Sequence, residues 1–563
     1  MGWSATSAAD DLLSLIVRFP LRAHARALIV LGVATLATAS VPAAPAQAST
    51  RQLAMLEEDV GLLSDPAGTL QTLRSLGVGV VRLSVHWDRI APGPGSRRRP
   101  RRFRATNPAA YPAANWAIYD RIVRDAHADG IGVDFLTMGN APLWATGRGS
   151  SLGTRQWKPS AREYGQFVQA LGTRYSGHYR PRGASEALPR VSFWEIWNEP
   201  NFGQDLAPQA IDNSAVSASP RMYRGLVDGA WSALGRTGHG RDTVLIGGLS
   251  PRGFSAPRTR RWPQGLPGYF STTKPLQFTR TMYCVDSRYR PLRGRAASSV
   301  GCPATPGASR RFRAQHPALF AASGFGIHPY PYGLPPTRAD SRDPDYAEFS
   351  ELTRLARALD RLQGVYRSRA RLPIYNTEYG YITHPPRDAQ FVSPATAAAY
   401  DNWAEFLSWR NPRVATTMQF LLRDPNPTSH VPEYGGFASG LIFFDGRLKP
   451  GYDAYRMPIF LPSVSARRGH SLEVWGCVRP AHYATLDTGA AQSVQIQFGT
   501  SSRGPFRTVQ SIAIRSQRGY FDARATFPSS GFVRLAWSYP AGDPQLSRSP
   551  STIFSRLVKV TIH

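Results

Sequence analysis

Two short segments of this 563-residue sequence place a carboxylic acid where a strand has to stop. In Phe193-Trp194-Glu195-Ile196-Trp197-Asn198-Glu199-Pro200-Asn201 an apolar run ends at Asn198 and Glu199. Pro200 has no N–H to continue a ladder, so the chain must turn away and leave the Glu199 carboxyl at the rim. In Tyr375-Asn376-Thr377-Glu378-Tyr379-Gly380 a second run ends in the same way, with Glu378 set among aromatic residues. Two carboxyl groups facing each other across one pocket can divide a reaction between them, one giving a proton while the other attacks carbon. That is the requirement of acetal cleavage by double displacement, if the groups stand about 5 to 5.5 Å apart and their surroundings split their pKa values. Arg82, inside Val81-Arg82-Leu83-Ser84-Val85, is a charge partner able to keep Glu378 ionised. Trp197 offers Glu199 the more apolar setting that favours its acid form.

No other chemistry competes with this pair. The 12 histidines show no metal-ligand spacing, and no Gly-rich phosphate loop leads from a strand into a helix, so neither metal nor cofactor is expected. The formal charge is +29, carried by arginine, with Lys158, Lys274, Lys449 and Lys559 the sole lysines. A nucleic-acid partner would want that charge on one face or interleaved with stacking aromatics in a recognisable module, and the sequence has neither. The densest cluster, Arg97 to Arg104, lies in a Gly/Pro-rich loop and has two readings: a solvated loop, or attraction to an anionic polysaccharide or cell-wall polymer.

The elements that must position the pair are legible from alternation. Short β-like runs alternate with amphipathic helices, the pattern of a parallel α/β fold. Eight strand cores are assigned: Gln52 to Leu56, Gly79 to Val85, Gly132 to Thr137, Ser192 to Trp197, Thr243 to Gly248, Gly324 to His328, Leu372 to Thr377 and Ala415 to Phe420. Eight such units close into a (β/α)8 TIM barrel, which collects catalytic groups at the C-terminal ends of its strands. Helix starts are read at Asp65-Pro66, Asp343-Pro344 and Ser393-Pro394. Ser160 with Glu163 forms a capping-box pattern before Tyr164, Phe167, Val168, Leu171 and Tyr175. Gly77 and Gly130 mark helix stops. The segment from Pro251 to Ala314 is Arg/Pro/Gly-rich without clear periodicity and is expected to hang as a long loop over the catalytic face, pinned by Cys284 and Cys302, or to be an insertion with no part in the chemistry.

With these residues in place, the sequence resembles the large clan of retaining barrel glycosidases that includes the cellulase-like and β-xylosidase-like families. The match is Asn198-Glu199-Pro200 at the fourth strand and Thr377-Glu378-Tyr379-Gly380 at the seventh, and it extends to the closing segment Gly440-Leu441-Ile442-Phe443-Phe444-Asp445-Gly446 with Lys449-Pro450 and Tyr452-Asp453-Ala454. The resemblance implies a retaining glycoside hydrolase acting on a β-bond of an oligo- or polysaccharide, with Glu199 as general acid/base and Glu378 as nucleophile. It implies that Asn198 binds the sugar 2-hydroxyl. His328-Pro329-Tyr330 is similar to the clan's His-x-Tyr, whose Tyr donates a hydrogen bond to the nucleophile; both residues have a core-packing alternative. Trp87, beside His86, and Trp144 stand at the ends of strands two and three, where they either stack on sugar rings or pack the barrel rim. The eighth strand departs from the clan: it ends Gln419-Phe420-Leu421-Leu422-Arg423-Asp424, where many members carry a tryptophan.

The flanks complete the organisation. Arg18, Arg22 and Arg26 precede an apolar run from Ala27 to Val41 and the small-x-small pattern Ala46-Gln47-Ala48, so residues 1–48 are read as a signal peptide and leader, of unusual length and containing Asp10 and Asp11. The run is short for a bilayer span, which takes roughly 20 apolar residues, so a secreted, monomeric protein with no stable membrane span is expected. Residues 49–457 are assigned to the barrel. Residues 461–563 are assigned to a β-sandwich, from the alternation of Val494, Ile496 and Phe498 and of Val533, Leu535 and Trp537, with helix patterns gone. Its aromatic residues form either a sugar-stacking surface or a structural core. Cys284 and Cys302 are a disulfide candidate, and Cys477 a buried free thiol in a strand. Two functions besides hydrolysis fit the same residues: a polysaccharide-binding barrel without turnover, and a transglycosylase that hands the glycosyl group to another sugar.

Overall fold

The eight apolar runs form the eight strands of one parallel sheet: β1 (Leu53–Glu57), β2 (Val80–His86), β3 (Gly132–Met138), β4 (Phe193–Ile196), β5 (Thr243–Leu249), β6 (Gly324–Ile327), β7 (Ile374–Asn376) and β8 (Thr416–Phe420). The computed structural model describes residues 52–149, 154–255, 260, 265–339, 342–383, 391–426 and 437–563. The segment read as a signal and leader lies outside them. Among the described residues no helix is long and apolar enough to cross a membrane.

The strands run in the order β7-β6-β5-β4-β3-β2-β1-β8. Closure between β7 and β8 comes from a parallel bridge between Ile374 and Val414, with Ile374 N–H donating to Arg413 O at 2.7 Å and Ala415 N–H to Ile374 O at 2.8 Å. The result is a TIM barrel followed by an all-β domain. Nearly every strand residue is buried, as a barrel clad in helices requires. The helix Ala161–Arg174 starts at Ser160, whose Oγ accepts from Glu163 N–H at 3.3 Å, and it buries Tyr164, Phe167, Val168 and Leu171. Glu163 does not close the expected capping box; its carboxylate pairs with Arg99 Nε at 3.1 Å.

Three expectations are corrected. Asp343 caps no helix: its carboxylate is bound to Lys274 Nζ at 2.6 Å and to Asp345 N–H, and the helical segment begins at Phe349, capped reciprocally by Glu348 and Glu351. The stretch from Pro251 to Ala314 is not a bare loop. It holds the helices Pro275–Met282, Gly294–Ser299 and most of Pro306–Gln315. Phe278, Met282 and Tyr283 are buried in the barrel's own core cluster, so much of the stretch belongs to the outer helical layer between β5 and β6. Cys284 and Cys302 are joined as a disulfide, and Arg224 of the helix Ser219–Arg236 ties both sides of it down by donating to Met282 O and Gly301 O. Helix also persists after the barrel, at Ala481–Thr488, too short to display a periodicity.

The β domain comprises β9 (Ile459–Phe460), β10 (Ser465–Ala466), β11 (Ser471–Cys477), β12 (Ser493–Gly499), β13 (Arg507–Ala513), β14 (Tyr520–Thr526), β15 (Gly531–Ser538), β16 (Thr552–Phe554) and β17 (Val558–Ile562). They make a six-stranded sheet, β10-β17-β15-β12-β13 with β16 on β15, and a three-stranded one, β14-β11-β9. Val474, Val494, Ile496, Phe521, Leu535 and Trp537 fill the core they share.

This domain docks against the barrel end where the strands begin, away from Glu199 and Glu378. Tyr483 Oη donates to Val78 O at 2.7 Å, just before β2, and Gly77 leaves no room for a side chain: a Cβ there would lie 2.4 Å from the Arg479 backbone. Trp475 and Tyr520 stack on each other and meet Phe406 and Trp409 of the helix Pro394–Arg410. At the centre Arg479 is paired with Glu405, both nearly inaccessible, and Tyr520 Oη donates to the other Glu405 oxygen at 2.8 Å. Cys477, in β11, is buried and unpaired, and burial pushes its thiol well up. Glu405→Ala would leave the Arg479 cation in the interface without a counter-charge, an expected loss of about 3–5 kcal/mol in denaturant unfolding. A variant with the wild-type midpoint would show that this ion pair does not secure the domain.

Candidate active site

The site is built from charged residues that interrupt apolar strands at one level of the barrel. Glu57 of β1 sits in register with Arg82 of β2, and Arg82 with Asp134 of β3; Glu195 of β4 completes the group. Arg82 is fully buried and fans out to four acceptors. Its Nε donates to Glu195 Oε2 at 2.7 Å, its Nη1 to Glu378 Oε1 at 2.8 Å and to Glu57 Oε2, and its Nη2 to Asn198 Oδ1 at 3.2 Å. Burial works against the Arg82 charge, but Glu195, Glu57 and Glu378 outweigh it and the guanidinium stays protonated. Burial, reinforced by Glu378, raises the Glu57 carboxyl well above its ordinary range despite Arg82, and burial with Glu195 does the same for Asp134. Neither Asp134 oxygen has a hydrogen-bond partner among the described residues, as suits a neutral acid better than a carboxylate.

Above this level β4 ends at Ile196, and the backbone turns sharply. Trp197 and Glu199 both take positive φ, 67° and 32°, a conformation that costs a non-glycine residue about 1–2 kcal/mol. Glu199 N–H donates to Gly248 O at 2.9 Å, which holds the turn against the end of β5. Gly248 itself has φ +56° and lies so close to Glu195 Oε1 that a Cβ would stand 2.8 Å from it. The Trp197 ring packs edge-on against Tyr164 at 5.2 Å.

What meets Glu199 is His328, the residue after β6. Its Nδ1 lies 2.9 Å from Glu199 Oε1 and 3.4 Å from Glu378 Oε2, so one ring nitrogen stands between the two carboxyl groups. A carboxyl oxygen of Glu199, one of Glu378 and a ring nitrogen of His328 all lie within 4.8 Å of one another. Burial, offset only in part by Glu378, pushes the His328 pKa down to about 4, so the imidazole is neutral at ordinary pH. Tyr330 Oη donates to Glu378 Oε2 at 3.0 Å.

The two glutamates therefore sit in opposite environments. Burial first, then the charge of Glu378, raises Glu199 well above the ordinary carboxylate range. Burial alone would raise Glu378 too, but the charge that His328 would carry when protonated, the Arg82 charge and the hydrogen bonds from Arg82 and Tyr330 hold this carboxyl below that range; with the imidazole neutral, Arg82 and Tyr330 are what remain. The arrangement can keep one group as acid and the other as anion at the same pH. The same trio has the atom types of a metal site, yet both Glu378 oxygens already accept from Arg82 and Tyr330, and the Arg82 cation beside them opposes a second positive charge.

Of the residues singled out in the sequence, Arg82, Asn198, Glu199, His328, Tyr330 and Glu378 come together here. Asn198 is fixed between Arg82 and Asp205, to which its Nδ2 donates at 3.3 Å. Trp87 does not join them. It is wholly inaccessible, stacked on Phe167 with ring centroids 5.8 Å apart, and Trp144 meets it edge-on at 6.2 Å with its Nε1 donating to Pro92 O. The rim-packing alternative holds for Trp87, because Phe103, Tyr111 and Phe167 build an aromatic cluster over this side of the barrel. The tryptophan missing from β8 is answered by a different set: Phe420 and Phe437 pack on each other at 5.2 Å and both touch Tyr330. Glu57, Asp134 and Glu195 were not foreseen. Their signal was present, since four successive apolar strands each carry one such charged residue, three of them in register.

No family model matches the sequence, and no curated protein does. Among solved structures the chain is similar to a family 39 glycoside hydrolase from Bacteroides cellulosilyticus WH2, with 14% identity, TM-score 0.44, and 85% of this chain and 80% of that one covered. It is also similar to a glucosidase from Croceicoccus marinus (13%, TM-score 0.44, 91% and 94% covered) and to the endo-β-1,4-mannanase from Thermotoga petrophila (12%, TM-score 0.38, 91% and 98% covered).

Two measurements check the electrostatics. Glu57→Gln mimics a neutral acid and should change stability at pH 7 by less than about 1 kcal/mol, whereas Arg82→Met strands Glu195 and Glu378 without a cation and should cost about 3–5 kcal/mol. Equal losses would contradict the assigned charge states. For His328, whose pKa is displaced down to about 4, ring-nitrogen NMR should report the neutral form from pH 8 down to pH 5; protonation near pH 6.5 would mean that burial does not control it.

Proposed function

We propose that this chain is a secreted glycoside hydrolase that cleaves a β-glycosidic bond of an oligo- or polysaccharide with retention of anomeric configuration. The observation that carries the reading is the approach of Glu199 and Glu378 to within 4.8 Å in environments that favour opposite protonation states. Retaining enzymes hold their carboxyl groups about 5–5.5 Å apart, and inverting ones about 6.5–9.5 Å apart to admit a water between them. This pair belongs with the closer set.

In the first half-reaction Glu378 attacks the anomeric carbon as the glycosidic C–O bond breaks, and Glu199 gives its proton to the departing oxygen. The product is a glycosyl ester on Glu378 and a free alcohol. In the second, Glu199, now a carboxylate, takes a proton from water as that water attacks the same carbon, and Glu378 leaves as an anion. Arg82 and Tyr330 hold Glu378 ionised and oriented. His328 Nδ1 stands between the two carboxyl groups, hydrogen-bonded to Glu199. Asn198, locked by Arg82 and Asp205, is oriented for a sugar hydroxyl next to the reacting carbon.

A carbohydrate with acidic groups fits the surroundings. The loop carrying Arg97 to Arg104 follows β2, at the catalytic end of the barrel. Arg97 and Arg99 are tied to Thr146 and Glu163, while Arg98, Arg101, Arg102 and Arg104 are exposed. These four are free to meet an anionic chain entering the cleft. The protein is read as a monomer that needs no cofactor.

A panel of aryl glycosides tests the reading. One member should be hydrolysed with its anomeric configuration kept, as followed by NMR; the inverted sugar would overturn the mechanism. Glu378→Gln should abolish turnover. Glu199→Gln should lose roughly 10²–10⁴-fold in kcat on substrates with poor leaving groups and much less on nitrophenyl glycosides, which need little protonation. The sign of the pH dependence follows from the shifts: activity needs Glu378 ionised and Glu199 protonated. Thus kcat/KM should rise with pH through a limb below the ordinary carboxylate range and fall through one above it, and Glu199→Gln should remove the falling limb.

A further inference from the structure

We propose that the outer face of the six-stranded sheet in the β domain is a docking site for an acidic polysaccharide, specifically a polyuronate chain, separate from the catalytic cleft. Register assigns the faces. Val494, Ile496, Val533, Leu535, Trp537, Ile553, Val558 and Val560 point inward and are buried. Alternation then puts Gln495 and Gln497 of β12, Phe532 and Arg534 of β15, Phe554 of β16 and Lys559 of β17 on the opposite side, where Gln497 pairs with Arg534, Phe532 with Lys559 and Ala536 with Phe554. This side is turned away from the three-stranded sheet.

Charge on it is of one sign. None of the strands β12, β13, β15, β16 and β17 contains an aspartate or glutamate. Arg534 lies at the centre, its guanidinium carbon 4.1 Å from the Phe506 ring centroid and 3.8 Å from that of Phe554. Two rings clamping one guanidinium fix its plane and strip part of its water, which leaves the flat edge as a fork for a carboxylate. Its Nε donates to Gln497 Oε1 at 2.9 Å, and Gln497 Nε2 and Thr508 Oγ1 both donate to Gln495 Oε1, at 3.0 and 2.9 Å. The two Nη groups of Arg534 make no hydrogen bond within the described residues, and neither Arg534 nor Lys559 has a carboxylate partner there.

The surface thus offers a preorganised cation on β15, a second cation, Lys559, on the neighbouring strand β17, and a row of amides and hydroxyls across β12 and β13. Carboxylates answer the cations and sugar hydroxyls answer the amides. A single-stranded nucleic acid would instead need bare aromatic faces on which to stack its bases, and here Phe506 and Phe554 are occupied by Arg534. The inference does not rest on catalysis: a chain that hydrolysed nothing would carry the same surface.

Affinity electrophoresis of the full chain through gels containing polygalacturonate, neutral dextran or duplex DNA tests it. Polygalacturonate should retard the protein in a salt-sensitive manner, and dextran should not. Arg534→Ala should weaken retention about tenfold, equivalent to about 1.4 kcal/mol, and Arg534→Lys, which keeps the charge but not the flat fork, should recover less than half of it. Lys559→Ala, at an exposed position outside the core, should weaken retention severalfold with the unfolding midpoint unchanged, so the test survives if Arg534 variants fold poorly. Wild-type retention in all three variants, equal retardation by dextran, or stronger retention by DNA would overturn the proposal. Aryl glycoside hydrolysis is read in parallel. Its absence with retention intact counts against the catalytic reading alone, and its persistence in Arg534→Ala with retention lost separates the two sites.

Discussion

A guanidinium sealed from water in the middle of a barrel must be surrounded by negative charge, and that single requirement organises this protein's site. Arg82 is inaccessible, and removing an ion of its size from water costs several kcal/mol even after relaxation. Glu57, Glu195, Glu378 and Asn198 arrive from four other positions in the chain to repay that cost. Because the cation cannot bind all of its acidic neighbours as full anions, burial pushes the less favoured ones, Glu57 and Asp134, toward the neutral acid. Glu378, with Arg82 and Tyr330 donating to it, is the one that stays ionised.

The asymmetry between the two rim glutamates follows from this. Glu199 is equally buried but receives one neutral imidazole where Glu378 receives a cation and a phenol, and the Glu378 charge stands in view of it. Identical side chains thus acquire opposite preferences through neighbours that differ by a few donors. The geometry is secured by backbone strain at Trp197 and Glu199 and by glycine at Gly248, where the chain passes too close to Glu195 for any side chain. Such strain persists only where surrounding structure over-determines it, and the eight-strand closure supplies that surrounding.

The rest of the molecule divides by end of the barrel. The β domain is held at the start of the strands, away from the two rim glutamates, by a buried ion pair and an aromatic cluster. The disulfide-containing segment after β5, which composition made resemble an unstructured insertion, is largely a piece of the helical layer, because Phe278 and Met282 supply apolar anchors that eight-residue helices show too briefly to reveal a period.

The sequence by itself determined the eight strands, their order along the chain and the presence of acids at the ends of the fourth and seventh, since alternation and a proline after a glutamate are local signals. It also carried an arginine in the second strand with the right chemistry. It could not say that Trp87 turns into the wall and not the cleft, because side-chain direction at a strand end depends on the packing of Phe167, Tyr164 and Trp144 from other elements. Nor could it say that Asp343 serves Lys274 instead of a helix. Above all, the charge states of Glu57, Asp134, Glu199 and Glu378 were decided only in three dimensions: desolvation and proximity are properties of the space a residue occupies, and residues 57, 82, 195 and 378 share that space only once the barrel has closed.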